Sequence, residues 1–294
     1  MNLAQNNKKE FSDLVSNIDL NPDSATKKAT FVDLLSLSSE LTLPSAGFSP
    51  QSIEVKWACT SQEVIAAQRL RHSVFTSDMG ARIPANSAGA NGLDTDIFDE
   101  FCEHLIVLDV QTKEVIGTYR VLTPTQALRV GSTHLETLFD LTRLRQYKDH
   151  MVEIGKGCVH PSHRNGGVIM ALWGELFKFM KRNKLEFMVG STNIPMTQEL
   201  PLSAKMAASI WTLVKEHHLA PIEFHVRPRR PLPVEQLCGD LSVELPPLIQ
   251  AYLRLGAKVL GPPAWLANSN SVDLPMMMRS TELHSKYQKH FLGL

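Results

Sequence analysis

The 294-residue sequence predicts an α+β fold: one domain from about residue 51 to the end, built on a mixed sheet flanked by helices. Three observations carry this. The stretches "HLIVLDV" (104–110) and "EVIGTYRVLT" (114–123) are rich in β-branched residues and joined by the tight turn Gln111, Thr112, Lys113, which predicts an antiparallel hairpin. "MVEIGKGCVH", "VIMALWGELFKFMKRN" and "LEFMVGST" then run as strand, helix and strand, which implies parallel neighbours and a right-handed crossover. No internal repeat or low-complexity tract argues for a second architecture.

Taken in order, residues 1–50 are rich in Ser, Asn, Asp and Lys, and their amphipathic pieces, such as "TFVDLLSLSSEL", are too short to bury a core. They are expected to form a loosely attached extension. "SQEVIAAQRLRHSVFTSDMG" predicts a helix with Ser61 as N-cap, Glu63 in its first turn, apolar positions from Val64 through Leu70 to Phe75, and Gly80 as its stop. A polar Gly, Ala and Asn-rich segment leads to Thr95. After the hairpin and the third strand, the helix from Val168 should bury Val168, Leu172, Leu176 and Met180. Past Pro195 come the helix-like "AKMAASIWTLVKEHH" and the Pro-rich "HVRPRRPLP". "PPLIQAYLRLGAKVLG" is a helix ended by Gly256 that runs into a strand, and "SVDLPMMM" is the final strand.

Composition narrows the function classes. With 43% hydrophobic residues the chain has ample material for a core, and its longest apolar stretches break well before a membrane span of roughly 18 residues. "MNLAQNNKKEFSDLV" lacks the apolar centre of a signal peptide, so a cytoplasmic location is expected. Thirty basic and thirty acidic residues cancel, which argues against nucleic acid as a partner and leaves only local patches for electrostatic recognition. Cys59, Cys102, Cys158 and Cys238 are widely spaced with no C-x-x-C pair, as suits reduced thiols.

The turn "PSHRNGG" opens the helix at Val168 and offers backbone N–H groups and a helix dipole to an anion, although neither a Walker nor a G-x-G-x-x-G spacing is met. A plain strand-to-helix turn is the competing reading. With its surroundings, the stretch resembles the superfamily typified by Gcn5-related N-acetyltransferases. "RLRHSVF", "DIFDEFCEHLIVLD", "VIGTYRVLTP", "VEIGKGCVHPSHRNGGVIMALW", "LAPIEFHV" and "LPPLIQAYLRLGAKVLGPPAW" together resemble the bacterial ornithine N-acyltransferases, relatives of the acyl-homoserine-lactone synthases. The likeness runs from about Val55 to Leu292.

The resemblance implies a Gcn5-related mixed sheet flanked by helices and transfer of a long, 3-hydroxylated acyl chain to the α-amine of ornithine or a similar amino acid. The donor would be the acyl-phosphopantetheine of acyl carrier protein, with no other cofactor bound. An acyl-homoserine-lactone synthase and a non-catalytic, membrane-interacting haemolysin-like protein are the alternatives. A lyso-lipid product would allow peripheral contact with the inner face of the membrane.

Carried over residue by residue, Arg71 and Phe75 match the early helix motif, Asp96 and Asp99 the acidic pair, Arg120 the "TYR" strand and Glu153 the Glu of the E-[IL]-G-R pattern. Lys156 stands where Arg is usual, which keeps the charge and loses the planar fork. Chemistry asks for the same groups. An amino-acid acceptor must lose a proton before it attacks a thioester, so Glu153, Asp96 and Asp99 are candidate ammonium-binding and acid–base residues, while Arg71 or Arg120 would pair with the acceptor carboxylate. An internal ion-pair network is the competing reading.

Backbone N–H groups around Gly157, Cys158 and Val159 are candidates for the oxyanion if the strand splays there, and Arg164, Asn165, Gly166 and Gly167 for the pantetheine phosphate. Cys158 reads either as a nucleophile or as a small residue packed in a strand. His160 and His163 lack a third ligand at a telling distance, so no metal is expected. Lys178, Lys181, Arg182 and Lys184 form a basic cluster after the cradle helix that suits an acidic carrier near the pantetheine entrance, and Arg227, Arg229 and Arg230 form a second.

Overall fold

The computed structural model describes residues 52–78, 91–196, 200–237, 242–266 and 271–293. The N-terminal extension, most of the Gly and Asn-rich segment, the helix stop at Gly80 and Cys238 lie outside them.

In chain order the strands are β1 (Ile53–Trp57), β2 (Glu103–Asp109), β3 (Val115–Leu122), β4 (Phe139–Asp140), β5 (Met151–Val159), β6 (Phe187–Pro195), β7 (Arg227–Pro228), β8 (Lys258–Val259), β9 (Ala264–Leu266) and β10 (Ser271–Arg279). The helices are α1 (Ser61–Asp78), α2 (Pro124–Val130), α3 (His134–Leu138), α4 (Gly167–Arg182), α5 (Leu200–His218), α6 (Pro247–Leu255) and α7 (Ser285–Leu292). The main sheet runs β1-β2-β3-β5-β6-β10-β8 with β9 beside β10, while β4 and β7 form a separate ribbon. Among the described strands of the main sheet β5 and β6 pair in parallel and the other neighbours antiparallel, so the sheet is mixed, as expected.

Local chemistry explains the elements. The β2–β3 turn is held by the Asp109 carboxylate, whose Oδ1 accepts the Gln111 and Thr112 N–H groups at 2.8 and 2.9 Å, with Lys113 at φ 60°. The start of α1 differs from the expectation. Thr60, not Ser61, caps it: its Oγ1 accepts from the Glu63 N–H at 3.3 Å while Glu63 Oε2 accepts the Thr60 N–H at 3.1 Å, a reciprocal capping box. α4 buries Val168, Leu172, Leu176 and Met180, the i, i+4 stripe read from the sequence. α6 ends at Gly256, whose φ of 108° is in the left-handed region.

Two irregularities set β5 apart from its neighbours. Thr118 stands opposite Cys158 but Arg120 opposite Gly155, so β5 carries one residue more than β3, and Lys156 adopts φ 55° within that bulge. β5 also pairs with β6 only from Met151 to Glu153. Beyond that point β5 stays with β3 and β6 with β10, so the two parallel strands part in mid-sheet.

The faces of the sheet divide by chemistry. Side chains alternate along a strand and directly opposed residues share a face. α4 covers the face carrying Val107, Tyr119, Val121, Val152 and Ile154, the main apolar core. The pairings His104 with Arg120, Leu122 with Glu153, Glu153 with Val189 and Asn193 with Asp273 collect His104, Arg120, Glu153, Ser191, Asn193 and Asp273 on the other face.

Candidate active site

The site begins with charges that α1, the turn before β2 and the bulge bring together. Arg71, on α1, is fully buried. Its Nε donates to Asp94 Oδ2 at 2.9 Å and its Nη2 to Asp99 Oδ1 at 2.7 Å and to the Asp94 carbonyl. Arg120 Nη1 donates to Asp96 Oδ1 at 2.5 Å and Asp99 Oδ2 at 3.0 Å, and its guanidinium lies 5.8 Å from the Phe98 ring centroid. Lys156 Nζ donates to Asp94 Oδ1 at 2.9 Å, lies 4.0 Å from Asp96 Oδ2 and sits 5.8 Å from the Phe75 ring centroid. Three aspartates therefore balance three cations. Burial pushes the Asp96 carboxyl up, but the Arg120 and Lys156 charges outweigh it and hold Asp96 ionised below its usual range.

Glu153 behaves differently. It shares a small cleft with Phe98, Cys102, Arg120, Leu122 and Gly155. Its Oε2 accepts the Leu135 N–H at 3.1 Å. Burial pushes its pKa up to about 7, against the opposing effects of the Leu135 and Thr133 hydrogen bonds and the Arg120 charge. The Asp99 carboxylate is buried, with Arg71, Arg120 and the Asp96 N–H as donors. His104 Nε2 lies 3.2 Å from the Asp99 carbonyl, and burial lowers the pKa of this imidazole. Such a set holds one acid–base carboxyl with a pKa near neutrality beside fixed charges, which suits moving a proton from an amine.

The splayed half of β5 lies next to this cleft. Gly157 is wedged against Tyr119: a Cβ there would come within 2.3 Å of the ring. The Tyr119 hydroxyl meets that of Tyr252 and accepts the Trp173 Nε1–H at 3.3 Å. Past Val159, Arg164 Nε donates to the Val159 carbonyl at 3.1 Å, Asn165 Oδ1 accepts the Gly167 N–H at 3.1 Å, and Gly166, at φ 88°, stands at the N-cap of α4.

Residues 70–174 match the acetyltransferase (GNAT) domain. The L-ornithine N(alpha)-acyltransferase of Rhodobacter capsulatus is 31% identical over 255 residues, 83% of this chain and 96% of that protein. The chain belongs to the L-ornithine N(alpha)-acyltransferase family. A second member, from Agrobacterium fabrum, is 29% identical over 260 residues, 82% of this chain and 86% of that protein. The crystal structure of the AHL synthase LasI aligns at a TM-score of 0.43 and 13% identity, covering 82% of this chain and 95% of that one. As a member of the L-ornithine N(alpha)-acyltransferase family the chain is an N-acyltransferase with the GNAT fold, which removes the non-catalytic alternative.

Against this geometry, several expectations change. Arg71 is sealed behind Asp94 and Asp99, so it does not face an acceptor carboxylate; of the two candidate arginines only Arg120 lines the cleft. Lys156, which keeps the charge of the usual Arg, pairs with Asp94. Cys158 is buried among Leu70 and Val74, and burial pushes its thiol up to about 12, so the packed reading stands and the nucleophile reading falls. His160 and His163 share the Ser162 hydroxyl, at 2.7 and 3.0 Å. Lys178, Lys181, Arg182 and Lys184 are exposed at the C-terminal end of α4, about 20 Å along its axis from the turn at Gly166. Arg227, Arg229 and Arg230 are exposed on and after β7.

Sequence reasoning passed over Asp94, His134, Tyr119, Tyr252 and Asp273. Asp94 had a signal: it begins "DTDIFD", where three aspartates fall within six residues, and the third cation needed a third partner. The other four have none: register and helix docking place His134 and Asp273 on the side of the cleft and pair Tyr119 with Tyr252 on the α4-covered face behind the strand.

Proposed function

We propose that this chain transfers an acyl group, 3-hydroxylated and long, from the phosphopantetheine thioester of acyl carrier protein to the α-amine of ornithine, giving a lyso-ornithine lipid. The observation that carries the reading is Glu153, a buried carboxyl with a pKa of about 7 in a cleft shared with Arg120 on the face where β5 parts from β6. The ornithine acceptor is the substrate in the names of the relatives.

Asp96, ionised and half-buried, attracts the acceptor ammonium, and Arg120 faces its carboxylate. Glu153 takes one ammonium proton. The freed amine attacks the thioester carbonyl, the C–N bond forms, and the oxyanion is held by N–H groups of Gly157, Cys158 or Val159. The C–S bond then breaks, and the leaving thiolate takes the second nitrogen proton. Arg164, Asn165, Gly166 and Gly167, at the start of α4, receive the phosphate of the arm. Asp99, Arg71, Phe75 and Lys156 hold the frame. An amphiphilic product would draw the protein into peripheral contact with a membrane; among the described residues no helix is long and apolar enough to cross one.

The test is purified protein with labelled ornithine and either 3-hydroxyacyl carrier protein or the matching acyl-CoA. Mass spectrometry should find N-acylornithine, formed faster from the carrier. Equal rates with both donors overturn the carrier assignment, and no acylornithine from either overturns the function.

A further inference from the structure

We propose that Asp273, framed by Ser191 and Asn193, is the binding site for the positively charged side chain of the amino-acid acceptor; this rests on the function proposed above. Asp273 is 8% exposed, on β10. Its Oδ2 accepts from Ser191 Oγ at 2.7 Å and its Oδ1 from Asn193 Nδ2 at 3.2 Å. Among the described residues no lysine or arginine pairs with it, in contrast to Asp94, Asp96 and Asp99. A buried carboxylate supported only by neutral donors is costly, and an ionised carboxylate accepts about four hydrogen bonds, so two acceptor positions stay open to a cation.

Its placement fits the acceptor. Asp273 lies on the same sheet face as Glu153, because Glu153 is opposite Val189, Asn193 is four residues further along β6, and Asp273 is opposite Asn193. That offset is about 13 Å along the strands and, two strands across, about 10 Å sideways, so the two Cα atoms are about 16 Å apart with both side chains on that face. It leaves room for a small amino acid between the two carboxylates, its α-amine toward Glu153 and its side-chain ammonium toward Asp273. Burial lowers the pKa of His134 near Asp273, with the Arg120 and Lys156 charges acting in the same direction and the Asp273 and Asp96 charges opposing. With that imidazole neutral, the acceptor supplies the cation.

The experiment compares ornithine with norvaline, which has the same α-amine and carboxylate but ends in a methyl group. The wild-type enzyme should favour ornithine, and Asp273→Asn should cut the ornithine-to-norvaline ratio of kcat/KM on the order of 100-fold, with norvaline turnover and the KM of the acyl donor little changed. Ser191→Ala retains Asp273 and should lower the ratio by about tenfold, which keeps the test decisive if Asp273→Asn does not fold. An unchanged ratio in the folded variants overturns the assignment, as does a change confined to the choice between 3-hydroxyacyl and unsubstituted acyl donors. Failure of the wild-type enzyme to acylate ornithine would instead strike the function itself.

Discussion

Glu153 ties burial to rate and to stability in opposite directions. Its folded pKa of about 7 exceeds the ordinary 4.5, so the native state binds the extra proton and stability falls as pH rises from about 4.5 to 7. Above that window the ionised carboxylate costs up to about 3 kcal/mol. Glu153→Gln should therefore melt higher than wild type at pH 8 while losing about 100-fold or more in kcat, and the wild-type rate should climb through pH 7 as the base ionises. A variant that is slower but no more stable at pH 8 would separate the two effects. At Lys156, removing the charge leaves Asp94 with Arg71 alone. Lys156→Met should raise the acceptor KM by about tenfold with the donor KM unmoved, whereas Lys156→Arg should stay close to wild type, since the contact to Asp94 is single.

At the level of elements, the bulge in β5 and the part between β5 and β6 do the shaping: Lys156 takes the left-handed φ of the bulge and Gly157 lets the strand pass close to Tyr119. Gly157→Ala would drive a methyl into the Tyr119 ring, 2.3 Å away. We expect a loss of about 1–3 kcal/mol in chemical unfolding and a larger fall in activity than in stability, because the strand must shift where the thioester is received. The hairpin, the strand-helix-strand unit, the α6 stop at Gly256 and the last strand were legible because they depend on local signals: β-branched runs, i, i+4 stripes and a left-handed glycine. β1 was missed because "IEVKW" alternates over only five residues, and α3 because "HLETL" is a single turn whose Thr133 cap and Glu136 partner form the box. The site followed the same division. Arg120, Glu153 and Asp96 were read from motif residues, but that Arg71 is sealed depends on contacts with Asp94 and Asp99, 23 and 28 residues on, and that Asp273 is near depends on the register of β10 against β6, about 80 residues apart, which no local pattern encodes.

For the whole molecule, thirty basic and thirty acidic residues leave no net field, so the location of each patch decides what it does. The cluster at Lys178, Lys181, Arg182 and Lys184 lies about 20 Å from the turn at Gly166, further than the ~8–10 Å over which exposed charges act in physiological salt. Reversing Lys178 and Lys181 to Glu should thus change kcat/KM for acyl carrier protein by less than about threefold; a collapse of donor use would show that the carrier docks there. A different consequence comes from the pairing of β6 with β10. During synthesis β6 emerges with one flank only briefly matched to β5, and its full-length partner, Ser271–Arg279, arrives some 80 residues later. Until then a nine-residue strand presents an open edge on the ribosome, so this sheet closes last at the strand that carries Asp273, and chains that stall before residue 271 should be the ones that aggregate.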